Sequence, residues 1–157
     1  MRRAEREVTN FTSILHIIDS CQICRIGMED EKGIYIVPVN FGFEIKGEAV
    51  ILYFHSASEG RKYQILINKP KVCIEMDNPI RVLNGGSIAC RYGMAYESVI
   101  GTGIAEKVDN KDEKKRALDI LMKRVAGKED YEYDLSYMEK VSVFKIVLSD
   151  ISAKRNL

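Results

Sequence analysis

Three apolar stretches separated by very short links constrain the fold of this chain most. They run from Ile23 to Met28, from Ile34 to Ile45 and from Ala49 to Phe54, with E-D-E-K-G and Lys46-Gly47 between them. Links this short join antiparallel neighbours, because a parallel return needs a crossover of about a dozen residues or more. Further strand-like stretches run from Lys71 to Met76, from Tyr96 to Val108 and from Lys140 to Ile151. Gly101 and Gly103 predict a kink or bulge in the second of these. Six strands with short turns and few helices predict a small antiparallel β-barrel with helices packed outside it.

Phe11, Ile14, Leu15, Ile18 and Cys21 recur at helical spacing behind Thr9 or Asn10, which predicts a helix over 11–20. A short helix is expected over 59–67, stopped by Pro70. A third starts after Asp109 or Asn110, buries Leu118, Leu121, Met122 and Val125, and ends at Gly127. Asp77 to Gly93 reads as loops, marked by Asn78-Pro79 and Gly85-Gly86, with a short strand around Cys90. Tyr131 to Tyr137 reads as loop or helical turn. Residues 1–8 are expected to form an extended arm on a single domain spanning 1–157.

The 24 basic and 23 acidic side chains give a net charge of +1, so a strongly basic nucleic-acid surface is not expected. No apolar run has membrane-spanning length, and no signal-type core follows the charged first residues, so a cytoplasmic protein is expected. Cys21 and Cys24 form a C-x-x-C without a second such pair. Buried structural thiols are expected there, rather than a redox pair or half a zinc site. His16 is expected at the surface, and with His55 as the other histidine no metal centre is predicted.

The chemistry concentrates in three stretches. Y-F-H-S-A-S-E-G-R-K, residues 53–62, ends a strand and opens a helix with hydroxyls, a glycine and two cations. A helix mouth favours anions, Ser56 and Ser58 can donate, and Arg61 and Lys62 supply charge. A phosphate monoester suits it; a capped helix with two solvated cations explains the same residues. In I-Y-I-V-P-V-N-F, residues 34–41, Pro38 cannot donate to a ladder, so pairing is expected to be interrupted there. Backbone groups of Val37, Val39 and Asn40 would then be open to a planar heterocycle, or the segment is a plain edge strand. In Y-E-S-V-I-G-T-G, residues 96–103, Ser98 faces a ligand or a partner subunit, or the strand is simply bulged.

With the opening R-R-x-x-R-E-V, these segments in this order resemble the pyridoxamine 5′-phosphate oxidase-like FMN-binding split-barrel superfamily, and within it the nitroimidazole-resistance branch. The resemblance runs over almost the whole chain. It implies a six-stranded split barrel acting as a homodimer, with FMN at the subunit interface. It would set Val37, Pro38, Val39 and Asn40 along the isoalloxazine ring. His55, Ser56, Ala57, Arg61 and Lys62 would hold the phosphate end, and Ser98, Val99 and Ile100 would approach from the strand near the interface. The C-terminal D-I-S-A-K-R-N-L lacks the substrate-phosphate segment of pyridoxamine phosphate oxidases proper, although Lys154 and Arg155 would add charge. The implied activity is reduction of a small acceptor, such as a nitroaromatic, with electrons from NAD(P)H. No side chain stands out as a catalytic acid or base; Tyr92 and Tyr96 read as packing phenols. The alternative is a non-catalytic carrier of FMN, haem or a deazaflavin, with His55 as the haem ligand to test.

Overall fold

A computed structural model describes residues 3–128 and 131–157, with only the backbone of Leu135. It contains eight strands: β1 (Glu7–Val8), β2 (Cys24–Asp30), β3 (Gly33–Val39), β4 (Gly42–Lys46), β5 (Ala49–Ala57), β6 (Lys71–Leu83), β7 (Gly93–Lys107) and β8 (Val141–Asn156). The helices are α1 (Phe11–Ser20), α2 (Arg61–Asn68), α3 (Lys111–Ala126) and α4 (Leu135–Lys140). The sheet order is β3-β2-β6-β7-β8-β5-β4, with β1 on β8, and every pairing is antiparallel. The first and last strands of this path follow one another in the chain, joined only by Asn40 and Phe41. Such a path has to curl back on itself. It forms a barrel, split at the seam where β3 and β4 are not paired.

The expected strand from Ile34 to Ile45 is therefore two strands. The β2 ladder ends at the pair Cys24–Val39, and the β5 ladder begins at Gly42–Tyr53. Between them Phe41 turns into the core, where it is almost fully buried. Gly42 is needed at the seam, because a Cβ there would meet the Ile120 side chain at 2.7 Å. That split and the pairing of Glu7 and Val8 with β8 raise the strand count from six to eight. The expected arm is thus docked at its end, with Val8 against the core.

Another expectation fails at Asp77 to Gly93. β6 continues through Asn78-Pro79 to Leu83, with a register shift between Pro79 and Arg81, and β7 starts at Gly93. A bulge tolerates the proline that reads as a loop signal in sequence. Only Asn84 to Tyr92 turn the chain, with Cys90 in a single 3-10 turn rather than a strand. The irregularity expected at Gly101 is present between Ile100 and Thr102, and β8 runs past Ile151 to Asn156. The expected loop or helical turn at Tyr131–Tyr137 resolves into α4, capped by Asp134.

Side chains on the barrel's inner face, from Ile26, Val50, Ile74, Met76, Val99, Phe144 and Ile146 among others, pack with Ile14, Ile17 and Ile18 of α1 and Leu66 of α2. A second cluster of Ile51, Tyr53, Val108 and Val143 seats Ala117 of α3 outside the barrel. Asn10 and Asn110 cap α1 and α3 as expected, each accepting a backbone N–H at 2.9 Å, and Gly127 closes α3 in the left-handed region. On α3 it is Ala117 and Leu121 that are buried, while Leu118 and Met122 are half-buried and Val125 is exposed. Those three line a cleft toward α4 instead of sealing the core.

Candidate functional site

The end of β5 delivers Ser56 and Ala57 to a tight turn that opens α2. Gly60 stands at the helix cap with φ 91°, a conformation L side chains rarely adopt. Glycine carries no side-chain acceptor. The first-turn N–H groups of α2 therefore lack the side-chain cap that α1, α3 and α4 possess. The helix begins at Arg61 and not at Glu59, which puts both cations in this first turn.

The two cations differ. Arg61 makes a two-pronged pair with Asp30 at the end of β2, from Nε and Nη2 at 2.8 Å each. Its guanidinium lies 4.3 Å over the Tyr35 ring. Lys62 is half-buried and has no hydrogen-bond or ion-pair partner among the described residues, and its burial pushes its pKa down. Burial and the Lys62 charge lower the pKa of His55, which favours its neutral imidazole. Ser56 is buried on the inner side of β5, and Ala57 is exposed at the strand end. Ser58, an expected donor, belongs to the fold: it donates to the Lys140 carbonyl at 3.0 Å and lies 2.9 Å from the Ser142 hydroxyl.

The second stretch lies on the seam strand. Pro38 sits opposite Arg25, and the β2 ladder runs on past it to Val39. The interruption expected at Pro38 is therefore absent from that ladder. β3 is an edge strand, and its unpaired groups face the split. Val37 is half-buried, Val39 is in the core, and Pro38 and Asn40 are exposed. Asn40 and His55 meet in one cleft of about 360 Å³, otherwise lined mainly by apolar side chains of α3, α4 and β8, among them Leu121, Met122 and Tyr137.

The third stretch is not brought to the other two within one chain. Val99 is fully buried in the core, its side chain on the opposite face from Ser98 and Ile100. Ser98 and Ile100 face outward. Pro38, Arg25, Glu75 and Ile100 stand in one row of paired positions across four strands. Three strand spacings separate the ends of that row by roughly 14 Å. Ile100 shares its outward face with Ile34 (78% exposed), Ile36 (60%), Ile104 and Val147, around an ion cluster in which Arg25 meets Glu75 at 3.0 Å and Asp77 at 2.5 Å. This apolar face is the feature sequence reasoning missed. The signal was present in I-Y-I-V, which is apolar at every position and so at both faces of an edge strand.

The remaining candidates sit as follows. Arg155 pairs with the buried Glu97 at 2.5 Å, and Lys154 stands opposite Ser98 on β7. Tyr92 donates to the Gly86 carbonyl at 3.1 Å, pinning the β6–β7 loop, and Tyr96 is half-buried. Cys21 and Cys24 are buried, as expected of structural thiols, and burial pushes them up to about 11 and about 12. His16 is exposed. No helix among the described residues is long and apolar enough to cross a membrane.

Comparison with known proteins places this architecture. Among solved structures the chain is similar to a candidate 5-nitroimidazole antibiotic resistance protein from Bacteroides thetaiotaomicron, with 30% identity and a TM-score of 0.81 over 94% of this chain and 85% of that one. A flavocytochrome from Azotobacter vinelandii gives 17% identity and a TM-score of 0.84 over 100% and 72% of the two chains. An FAD- and haem-binding protein from Mycobacterium smegmatis gives 15% and 0.81 over 96% and 73%. At these last two identities the likeness is one of fold. No protein with a curated description matches the chain. The family profile described as pyridoxamine 5′-phosphate oxidase matches residues 12–155, which takes in all three stretches and nearly every strand of the split barrel, so the chain belongs to that family.

Proposed function

We propose that the protein binds FMN between two copies of itself and passes electrons from NAD(P)H to a small acceptor such as a nitroaromatic. The observation that carries this reading is Lys62, a half-buried cation without a counter-ion among the described residues, at the uncapped mouth of α2. A phosphate monoester brings roughly −1.5 to −2 charges and several acceptor oxygens to such a place. Lys62 supplies the charge, the free N–H groups of the first turn and Ser56 and Ala57 line the turn, and neutral His55 offers an N–H without adding charge. The exposed backbone edge of β3 at Pro38 and Asn40 receives the ring. The flavin supplies the hydride and electron transfer; the protein binds, orients and shields it.

The same geometry supports assembly as a homodimer. Ser98 and Ile100 stand three strands from Pro38 on the outward face, where a second copy can present them to the ring held by the first. The outward face carrying Ile34, Ile36, Ile100, Ile104 and Val147 supports that assembly. Sedimentation of the full chain is expected to give a dimer, and Ile36→Lys a monomer with weakened FMN binding. A monomer that retains FMN contradicts the interface site.

The deciding experiment is the visible absorption spectrum of the purified protein before and after FMN is added. An oxidised-flavin band that vanishes in the Arg61→Ala, Lys62→Ala double variant, with the fold retained, supports the reading. Turnover with NAD(P)H should then follow flavin content. A colourless protein that takes up no FMN rejects it. The relatives named for FAD and for haem give a second reading, a carrier of one of those groups, and the same spectrum separates them: a Soret band lost in His55→Ala points to haem, and adenine released with the flavin points to FAD.

A further inference from the structure

Arg61 is held from two directions. Asp30 takes its Nε and one Nη2 hydrogen, and Tyr35 lies flat beneath the guanidinium. Asp30 is itself anchored in the β2–β3 turn, where its Oδ1 accepts the Lys32 backbone N–H at 2.8 Å. The Arg61 hydrogen bonds, with help from Lys32, hold the Asp30 carboxyl down at about 2, so it is ionised throughout the physiological range. A guanidinium has five N–H groups in a rigid plane. Two are engaged by Asp30, and the other three have no acceptor among the described residues. One contact fixes the edge of the group and the other fixes its plane, so the direction of the three remaining donors is set before any ligand arrives.

We infer that Asp30 and Tyr35 are positioning residues, which hold Arg61 with three N–H groups fixed for the phosphoryl oxygens of a flavin nucleotide. This rests on the phosphate reading of the α2 mouth given above. Both positioning residues belong to the β2–β3 hairpin, whose second strand continues into Pro38. The grip on Arg61 therefore also joins the phosphate end of the site to the ring end.

The test is titration of the full chain with FMN and with riboflavin, which lacks the phosphate. Asp30→Asn keeps the side-chain size and removes the charge and one acceptor. Losing the orientation of one charge-assisted contact is expected to weaken FMN binding roughly tenfold and leave riboflavin unchanged. Asp30→Glu should recover part of the loss, and Tyr35→Leu should shift the same ratio in the same direction. In an Arg61→Lys background Asp30→Asn should have little further effect, because the residue acts through Arg61. An unchanged ratio of FMN to riboflavin affinity in a folded Asp30→Asn protein overturns the inference and leaves Asp30 a strap on the hairpin. Tighter FMN binding overturns it too, and makes Asp30 a competitor of the phosphate. An unaltered chain that binds neither flavin removes the cofactor reading and this one with it. Flavin binding by that chain with no effect of Asp30→Asn removes this one alone.

Discussion

Two arginines on this barrel have similar partners but differ in the donors they leave unengaged. Arg124 on α3 stacks on Phe41 at 4.4 Å and bonds Asp19 at 3.0 Å; Arg61 on α2 stacks on Tyr35 at 4.3 Å and bonds Asp30 at 2.8 Å. The difference lies in the donors left over. Arg124 also donates to the carbonyls of Ile18, Asp19 and Cys21, the end of α1 and the residue after it, and its side chain is 17% exposed. It closes the unsatisfied end of one helix with the side chain of another. Arg61 has a single hydrogen-bonding partner among the described residues, is 36% exposed, and keeps three donors. An aromatic platform and an aspartate do not identify a ligand-binding arginine. The hydrogens left unengaged are what separates the two.

The largest expected effect breaks the comparison from the structural side. Arg124→Ala strips four acceptors of their donor, including carbonyls at the end of α1, and removes the cover from Phe41. A loss of about 3 kcal/mol is expected. For a chain of this size that lowers the thermal midpoint by roughly 6–12 °C. Flavin affinity, measured at a temperature where the variant is folded, should be nearly unchanged. Calorimetry and flavin titration on one preparation check both halves. A stable Arg124→Ala protein that loses flavin would reverse the roles assigned to the two arginines.

The opposite pattern is expected at α2. Arg61→Ala should leave stability nearly unchanged, because its pair with Asp30 is open to solvent. It should weaken FMN binding by an order of magnitude or more, with riboflavin unaffected. Lys62→Ala sharpens the contrast further. Removing a half-buried cation with no partner among the described residues relieves a desolvation cost, so stability should hold or rise slightly while FMN affinity falls. A marked drop in thermal midpoint for Lys62→Ala would mean that this lysine is structural.

This division explains what could be read in the sequence. The helix caps were legible because Asn10, Asn110 and Gly127 act on neighbours three or four residues away. The strands were legible by period, and the three site stretches by their departures from it. The split of the long strand at Asn40-Phe41 was not, because V-P-V-N-F continues the apolar run and only the partner strands reveal that the ladder has changed. Pro79 misled for a related reason: whether a proline ends a strand or sits at a bulge depends on the opposite strand. The pairing of Arg61 with Asp30 spans thirty-one residues of chain and has no local signature. Sequence presented Arg61 and Lys62 side by side at one helix mouth, and tertiary contacts orient the first and leave the second without an ion-pair partner among the described residues.

The smallest expected effect concerns the Asp30 carboxyl. Its hydrogen bonds from Arg61 hold it at about 2, against about 3.9 for an ordinary aspartate. A carboxyl with a depressed folded-state value stabilises the fold at pH above its unfolded value, and that contribution fades as pH falls through the folded one. The Asp30 contribution should therefore be complete above about pH 4 and vanish toward pH 2. Because the pair is open to solvent, its size is small, and the direct reading is carboxyl-carbon NMR rather than unfolding. In the unaltered chain the Asp30 signal should begin to titrate only as pH 2 is approached. In Arg61→Ala it should return toward the ordinary range, while in Arg124→Ala it should not move. An Asp30 signal that stays depressed without Arg61 would assign the shift to the turn, where the Lys32 N–H also reaches the carboxylate. The guanidinium would then lack the firm anchor that its orientation requires.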